Sequence, residues 1–339
     1  MKAGLVTFYH IHHYGALLQA AATERAVERF GWDCEIIDYF VNQDNALFKR
    51  PTGLGSAAHD AHTALHYQAL SERYRRFEKF SRDHLRISDR RYGRFDELAG
   101  GPLPYDLILS GSDQIWNPLF PNGKDPAFYL DFALHGIRAS YAASFAVDEF
   151  PQELREVTAQ YLKRFDHIAV REKSGLSVLK TLGITNAVTV LDPVFLLDRA
   201  QWEAMAEKPE RCEKPYLLVY DFDNSPAVRK LAGRIAAERG LHIYSVFKIP
   251  YAERCFSLCG PENFLGLVQG ADFVLSNSFH ATAFSVIFER EFAVVERTEK
   301  INTRMRDFTT MLGLSDHMVT TETEIPAGTD WTAVRRCLK

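Results

Sequence analysis

Short apolar runs alternate with amphipathic stretches along most of the chain. GLVTFY (4–9) reads as a buried strand, ALLQAAATERAVERFG (16–31) as a helix stopped at Gly31, and CEIIDYF (34–40) as a second strand. The strand signal weakens from 41 to about 104, where polar helical patterns dominate. It resumes at DLILS (106–110), ASYAASFA (139–146) and HIAVRE (167–172), with helices predicted at 151–165 and 174–183. AVTVLDPVFLL (187–197) closes this series. After a polar, Pro-containing stretch at 199–214, a second series of strands and helices runs from PYLLVYDF to EFAVVER (215–297). The closing RRCLK reads as a helix end.

Repeated strand–helix alternation predicts an α/β fold with mainly parallel sheets and right-handed crossovers. Two series predict two Rossmann-like domains, 1–198 and 215–339, joined by a linker at 199–214 and separated by a cleft. The last helix is expected to pack back on the first domain. A chain of 339 residues suits two domains. In such sheets ligands gather beyond the carboxyl ends of the strands, so the strand-end loops are where chemistry is sought.

Composition narrows the classes. Hydrophobic residues make up 46% and charged residues 25%, an ordinary soluble balance, and no apolar run approaches the ~20 residues of a membrane helix. A net charge of −4 leaves no basic footprint for nucleic acid. The locally basic segment 72–95 reads as a solvated helix face, with an anionic glycan or lipid-linked substrate as the alternative it would face. Five scattered cysteines and no export signal predict reduced thiols and a cytoplasmic protein, with the inner membrane face as a second location. Cys255 and Cys259 lack a second pair at zinc spacing, so no metal is expected.

Four strand-end loops carry candidate chemistry. In FYHIHHYGALLQ, Gly15 opens a helix directly after a strand, and Tyr14 and Gln19 are candidates to face the cleft; His10, His12 and His13 cluster without a carboxylate beside them. In SGSDQIWNP, Ser112, Asp113, Gln114 and Asn117 offer directional polar groups, and Trp116 offers a flat face for a sugar ring. In AVREKSG, Arg171 is placed either to grip an anion with its planar fork or to bridge to Asp192. In DFVLSNSFHATAF, Asn277, Ser278 and His280 meet a helix N-terminus, which points to anion binding.

Together GSDQIWNP, SFHATAF, the opening loop, VREKSG, VLDPVFLL and INTRMRDFTTMLGL resemble the polysaccharide pyruvyl transferase family, in its order, from residue 4 to about 316. The resemblance implies a GT-B-like pair of Rossmann-like halves. It implies phosphoenolpyruvate as donor, a hydroxyl pair of a sugar or lipid-linked oligosaccharide as acceptor, a pyruvate ketal and phosphate as products, and no cofactor. On that reading His280 and Asp113 are catalytic. Arg171, Asn277, Ser278, His280 and Arg304 bind the donor, while Tyr14, Gln19, Ser112, Gln114, Trp116 and Asn117 face the acceptor. His13 stands where many members carry Asn. Ser278 stands where some carry Arg, which leaves Arg171 or Arg304 to neutralise the donor phosphate. Two rival readings are a GT-B-type glycosyltransferase with a nucleotide-sugar donor and a non-catalytic glycan-binding protein of the same fold.

Overall fold

The computed structural model describes residues 1–40, 71–213, 215–297 and 303–338. Of the span 41–104, where the strand signal is weak, 41–70 lies outside the described residues. The first half builds a seven-stranded sheet from β1 (Lys2–Val6), β2 (Asp33–Tyr39), β3 (Ile87–Tyr92), β4 (Leu107–Ser110), β5 (Ile137–Ala143), β6 (His167–Val170) and β7 (Ala187–Thr189). Its order is β3-β2-β1-β4-β5-β6-β7. The second half builds a five-stranded sheet from β8 (Tyr216–Tyr220), β9 (His242–Ser245), β10 (Arg254–Cys255), β11 (Phe273–Ser276) and β12 (Phe292–Val294), in the order β10-β9-β8-β11-β12. Every pairing is parallel. Covered on both faces, β8 (YLLVY) and β11 (FVLS) are buried at every position and contain no alternating polar side.

The helices used below are α1 (Tyr14–Arg29), α2 (Arg155–Leu162), α3 (Lys173–Thr181), α4 (Arg199–Glu203), α5 (Pro226–Arg239), α6 (Pro261–Gly270), α7 (Phe279–Ile287), α8 (Thr303–Met311) and α9 (Trp331–Cys337). Three expectations need adjusting. β3 lies in the span where the strand signal is weak: its ISDRRY sequence is polar because β3 is an edge strand with little to bury. The apolar run 187–197 is a strand only to Thr189; Pro193 starts a short 3₁₀ turn capped by Asp192, whose side chain accepts from Val194 N–H. The connecting segment 199–214 holds α4, opened by an Asp198–Gln201 capping box, and its Trp202 is fully buried against Phe284. α9 is tied by Arg335 to Glu289, and Thr329 just before it bonds Glu291, both in the second half.

One apolar core runs from the first sheet into the second. It takes Leu17, Leu18 and Ala21 from α1 and Phe264, Leu267 and Phe284 from α6 and α7. Tyr14 works at this junction. Its ring stacks on Phe264 with centroids 4.8 Å apart, and its hydroxyl donates to the Cys259 carbonyl at 3.1 Å. The basic segment is part of the same clasp: Arg73 lies over the Tyr14 ring and donates to the carbonyls of Ser257 and His12, and Arg76 reaches Asn263. Tyr14, expected to face an acceptor, is therefore an inter-half anchor. Tyr14→Phe keeps the stack and loses one buried hydrogen bond, so the urea midpoint should fall by an amount equivalent to about 1 kcal/mol.

Candidate functional site

Each sheet reverses its strand order at one place, between β1 and β4 in the first and between β8 and β11 in the second. A crevice opens at such a reversal, beyond the strand ends. Here the two crevices share one cavity of about 270 Å³. The first half contributes His13 after β1 and Asp113 and Gln114 after β4. The second half contributes Phe222 after β8, Ser278 and His280 after β11, and Arg297 and Arg304 beyond β12.

A buried chain of charges runs inward from the cavity wall. Asp113 sits 3.4 Å from both Arg171 Nη2 and Arg304 Nη1. Arg171 Nη1 also pairs with Asp192, and Asp192 Oδ2 lies 3.5 Å from His280 Nε2. Two arginines thus meet two aspartates, with Arg304 and His280 reaching across from the second half, and the ring of Phe279 lies beneath both guanidinium groups. Burial works to raise the Asp113 carboxyl, but Arg171, then His280, Arg304 and His13, overcome it and hold it well below the ordinary range. Asp192 is lowered to about 2, mainly by His280 and Arg171 acting against burial. Burial, then the neighbouring Arg171, brings Arg304 down to about 10, which leaves it a cation at neutral pH. Glu172, before α3, is pushed up by burial while its Oε1 accepts from Ser144 Oγ and the N–H groups of Phe145 and Ala146.

The backbone aims these groups. Asp113 adopts a left-handed conformation, φ +71°, which Asp tolerates better than most residues. The loop after β4 remains paired to the loop after β5 there, Ser144 N–H donating to the Asp113 carbonyl and Trp116 N–H to the Ser144 carbonyl. Ser278 caps α7, its Oγ accepting from Ala281 N–H, so the start of that helix faces the cavity. Gly15 matters by what it lacks: a Cβ there would stand 1.9 Å from His280 Nδ1, so only glycine lets α1 lie against the imidazole.

Asp113, Gln114, Asn277, Ser278, His280 and Arg304 line the cavity as a group. Asn277 is committed there to the neighbouring loop after β8, accepting from Phe222 N–H and donating to Asp221. Several other expectations are corrected. Arg171 lies behind Asp113 and forms the salt bridge to Asp192, so it braces the site and does not line it. Trp116 is fully buried, stacks on Tyr129 and donates from Nε1 to the Phe128 carbonyl; it offers no face to a sugar. Asn117 is equally buried, joining Gln114 and capping Leu119 N–H. Gln19 donates to Thr7 and to the carbonyls of Phe8 and Ala16, and Ser112 to the Ala142 carbonyl, which makes both internal struts. The depressed pKa of Asp113 makes it a fixed carboxylate and unsuited to donating a proton.

Two lining residues were not among the expected site residues. Arg297 pairs with Asp223, Nη2 to Oδ1 at 3.2 Å, and lies 4.9 Å over the Phe222 ring; its only hint was a cation just past a strand. His13 caps α1 by accepting Ala16 N–H at Nδ1 and stacks on Phe222. Burial, opposed by Asp113 and reinforced by His280, takes it down to about 4. Among the described residues no cluster of His, Cys, Asp and Glu is placed to hold a metal ion, and no helix is long and apolar enough to cross a membrane.

Two outcomes follow from this geometry. Trp116→Ala should cost about 3–5 kcal/mol in denaturant unfolding, as removal of a packed core indole does; a loss below 1 kcal/mol would contradict its burial. His10, also lowered to about 4 chiefly by burial, and His13 bind protons more readily when unfolded. Stability therefore falls as pH drops from 6.5 towards 4. His13→Gln should flatten that slope by up to one proton, ~1.4 kcal/mol per pH unit, in urea midpoints measured between pH 7 and 4.5.

A family model described as polysaccharide pyruvyl transferase matches residues 13–299. No curated protein matches the chain in sequence. Among solved structures, a Listeria monocytogenes protein assigned as a UDP-N-acetylglucosamine 2-epimerase is 11% identical, covering 99% of this chain and 94% of its own, with a TM-score of 0.50. The UDP-GlcNAc 2-epimerase of Methanocaldococcus jannaschii is 14% identical over 99% and 98%, TM-score 0.46. The E. coli heptosyltransferase with a bound ADP-heptose analogue is 15% identical over 88% and 90%, TM-score 0.41. At such identities the likeness concerns the fold alone, a GT-B-like pairing of two α/β halves.

Proposed function

The chain belongs to the polysaccharide pyruvyl transferase family, and on that premise we propose that it moves the pyruvyl group of phosphoenolpyruvate onto two hydroxyls of a sugar, in a cell-surface polysaccharide or its lipid-linked precursor. The observation that carries this reading is the shared cavity, where Arg304, Arg297, the start of α7 and His280 converge on a space sized for a small, multiply anionic molecule.

The chemistry uses these groups in order. Phosphoenolpyruvate brings a carboxylate and a phosphate, which Arg297, Arg304 and the N–H groups opening α7 neutralise. Proton delivery to its methylene carbon leaves an oxocarbenium-like C2, which one acceptor hydroxyl attacks. Phosphate then leaves, and the second hydroxyl closes the ketal. His280 serves the proton transfers and, with Ser278, the departing phosphate. Asp192 holds the imidazole, as a carboxylate behind a histidine does. Asp113 remains ionised and faces the developing positive charge at C2. Arg171 is a positioning residue, anchoring both aspartates. The protein would work in the cytoplasm or against the inner membrane face, where lipid-linked precursors are presented.

His280→Ala should lower phosphate release from phosphoenolpyruvate in the presence of acceptor by roughly 10²–10⁴-fold, with circular dichroism and unfolding midpoint little changed. Gly15→Ala, which displaces the same imidazole, should lose a comparable factor. Normal turnover by His280→Ala would remove the residue from the reaction. A thermal shift with nucleotide sugars and none with phosphoenolpyruvate would favour the glycosyltransferase reading instead.

A further inference from the structure

The loop after β4 raises a question that donor chemistry leaves unanswered. Between Pro118 and Pro121 it holds Leu119 and Phe120 outward, 61% and 42% exposed. Neither joins an apolar core cluster. Exposed apolar side chains are ordinary on a loose loop, but this loop is braced at every step. Asn117 Oδ1 accepts Leu119 N–H, Phe120 N–H donates to the Asn117 carbonyl, and Gly123 N–H to the Phe120 carbonyl. Asn122 Nδ2 donates to the carbonyls of Gln114 and Ile115. Gly123 lies so close beneath that a Cβ would stand 2.0 Å from the Asn117 carbonyl oxygen. Trp116, buried on Tyr129, forms the footing. The loop thus pays for rigidity while leaving an aromatic ring in water.

Phe120 is also a wall of the shared cavity, with the half-buried amide of Gln114 beside it and Phe222, itself 36% exposed, entering from the other half. A flat apolar face with an adjacent amide matches a pyranose ring, which shows C–H groups on one face and hydroxyls around its rim. We propose that Phe120, flanked by Leu119 and Gln114, is the platform on which the acceptor sugar ring lies, with its hydroxyl pair turned towards His280. A lipid chain is a poorer fit, because two apolar residues beside buried charges form too small a surface for it. The buried residues of SGSDQIWNP then act indirectly: Trp116 and Asn117 fix the loop that Phe120 tops.

The assignment rests on the pyruvyl transfer reading, and the test separates the two. Donor binding is measured first, by titrating phosphoenolpyruvate into wild type and Phe120→Ala; both should bind it alike, and no binding by wild type would sink the reading of the cleft. Methyl hexopyranosides are then titrated with phosphoenolpyruvate saturating. At least one should bind wild type, bind Phe120→Ala at least tenfold more weakly, and recover with Phe120→Tyr or Phe120→Trp. Equal affinity in wild type and Phe120→Ala overturns the platform, as does the absence of binding by every hexopyranoside when the donor binds normally.

Discussion

The buried ion chain Asp113–Arg171–Asp192–His280, with Arg304 closing on Asp113, is the constraint on which the site depends. Each charge comes from a different strand end or helix, and the chain crosses from one sheet to the other twice. Removing Arg171 or either aspartate would leave a partner charged and buried, a larger penalty than the pair's net worth. Within the chain two arginines balance two aspartates, so it carries little net charge of its own.

The site is layered. Arg171 and Asp192 are held behind the cavity, where their job is geometric. Groups that line it are set by local devices: Ser278 by its cap, His280 by the missing side chain at Gly15, Asp113 by a left-handed turn. The apolar core beneath, shared through Tyr14 and Phe264, gives these devices a common floor.

Much of this was legible from residue order. Alternating buried runs announce parallel sheets, and hydroxyls before His280 announce a helix start, because both patterns are local. What stayed hidden depends on distance in space. A tryptophan and asparagine beside Asp113 look like ligand contacts until the fold shows Tyr129 and Gln114 occupying their faces. Arg171 could equally grip a ligand or a distant aspartate, and only the placement of Asp192 decides it. Arg297 gave little sign because its importance comes from lying across Phe222, seventy-five positions earlier. β3 escaped because an edge strand with charged side chains carries no apolar rhythm.

That same edge has a further meaning. Unpaired backbone along an outer strand invites another chain to add itself to the sheet, and the remedy is to arm it with charge. Asp89, Arg90 and Arg91 do so on β3, with Arg91 anchored to Asp38 and Arg90 lying over Tyr92. Among the described residues no strand pairs with β3 on its outer side, and the charge there opposes the addition of another chain.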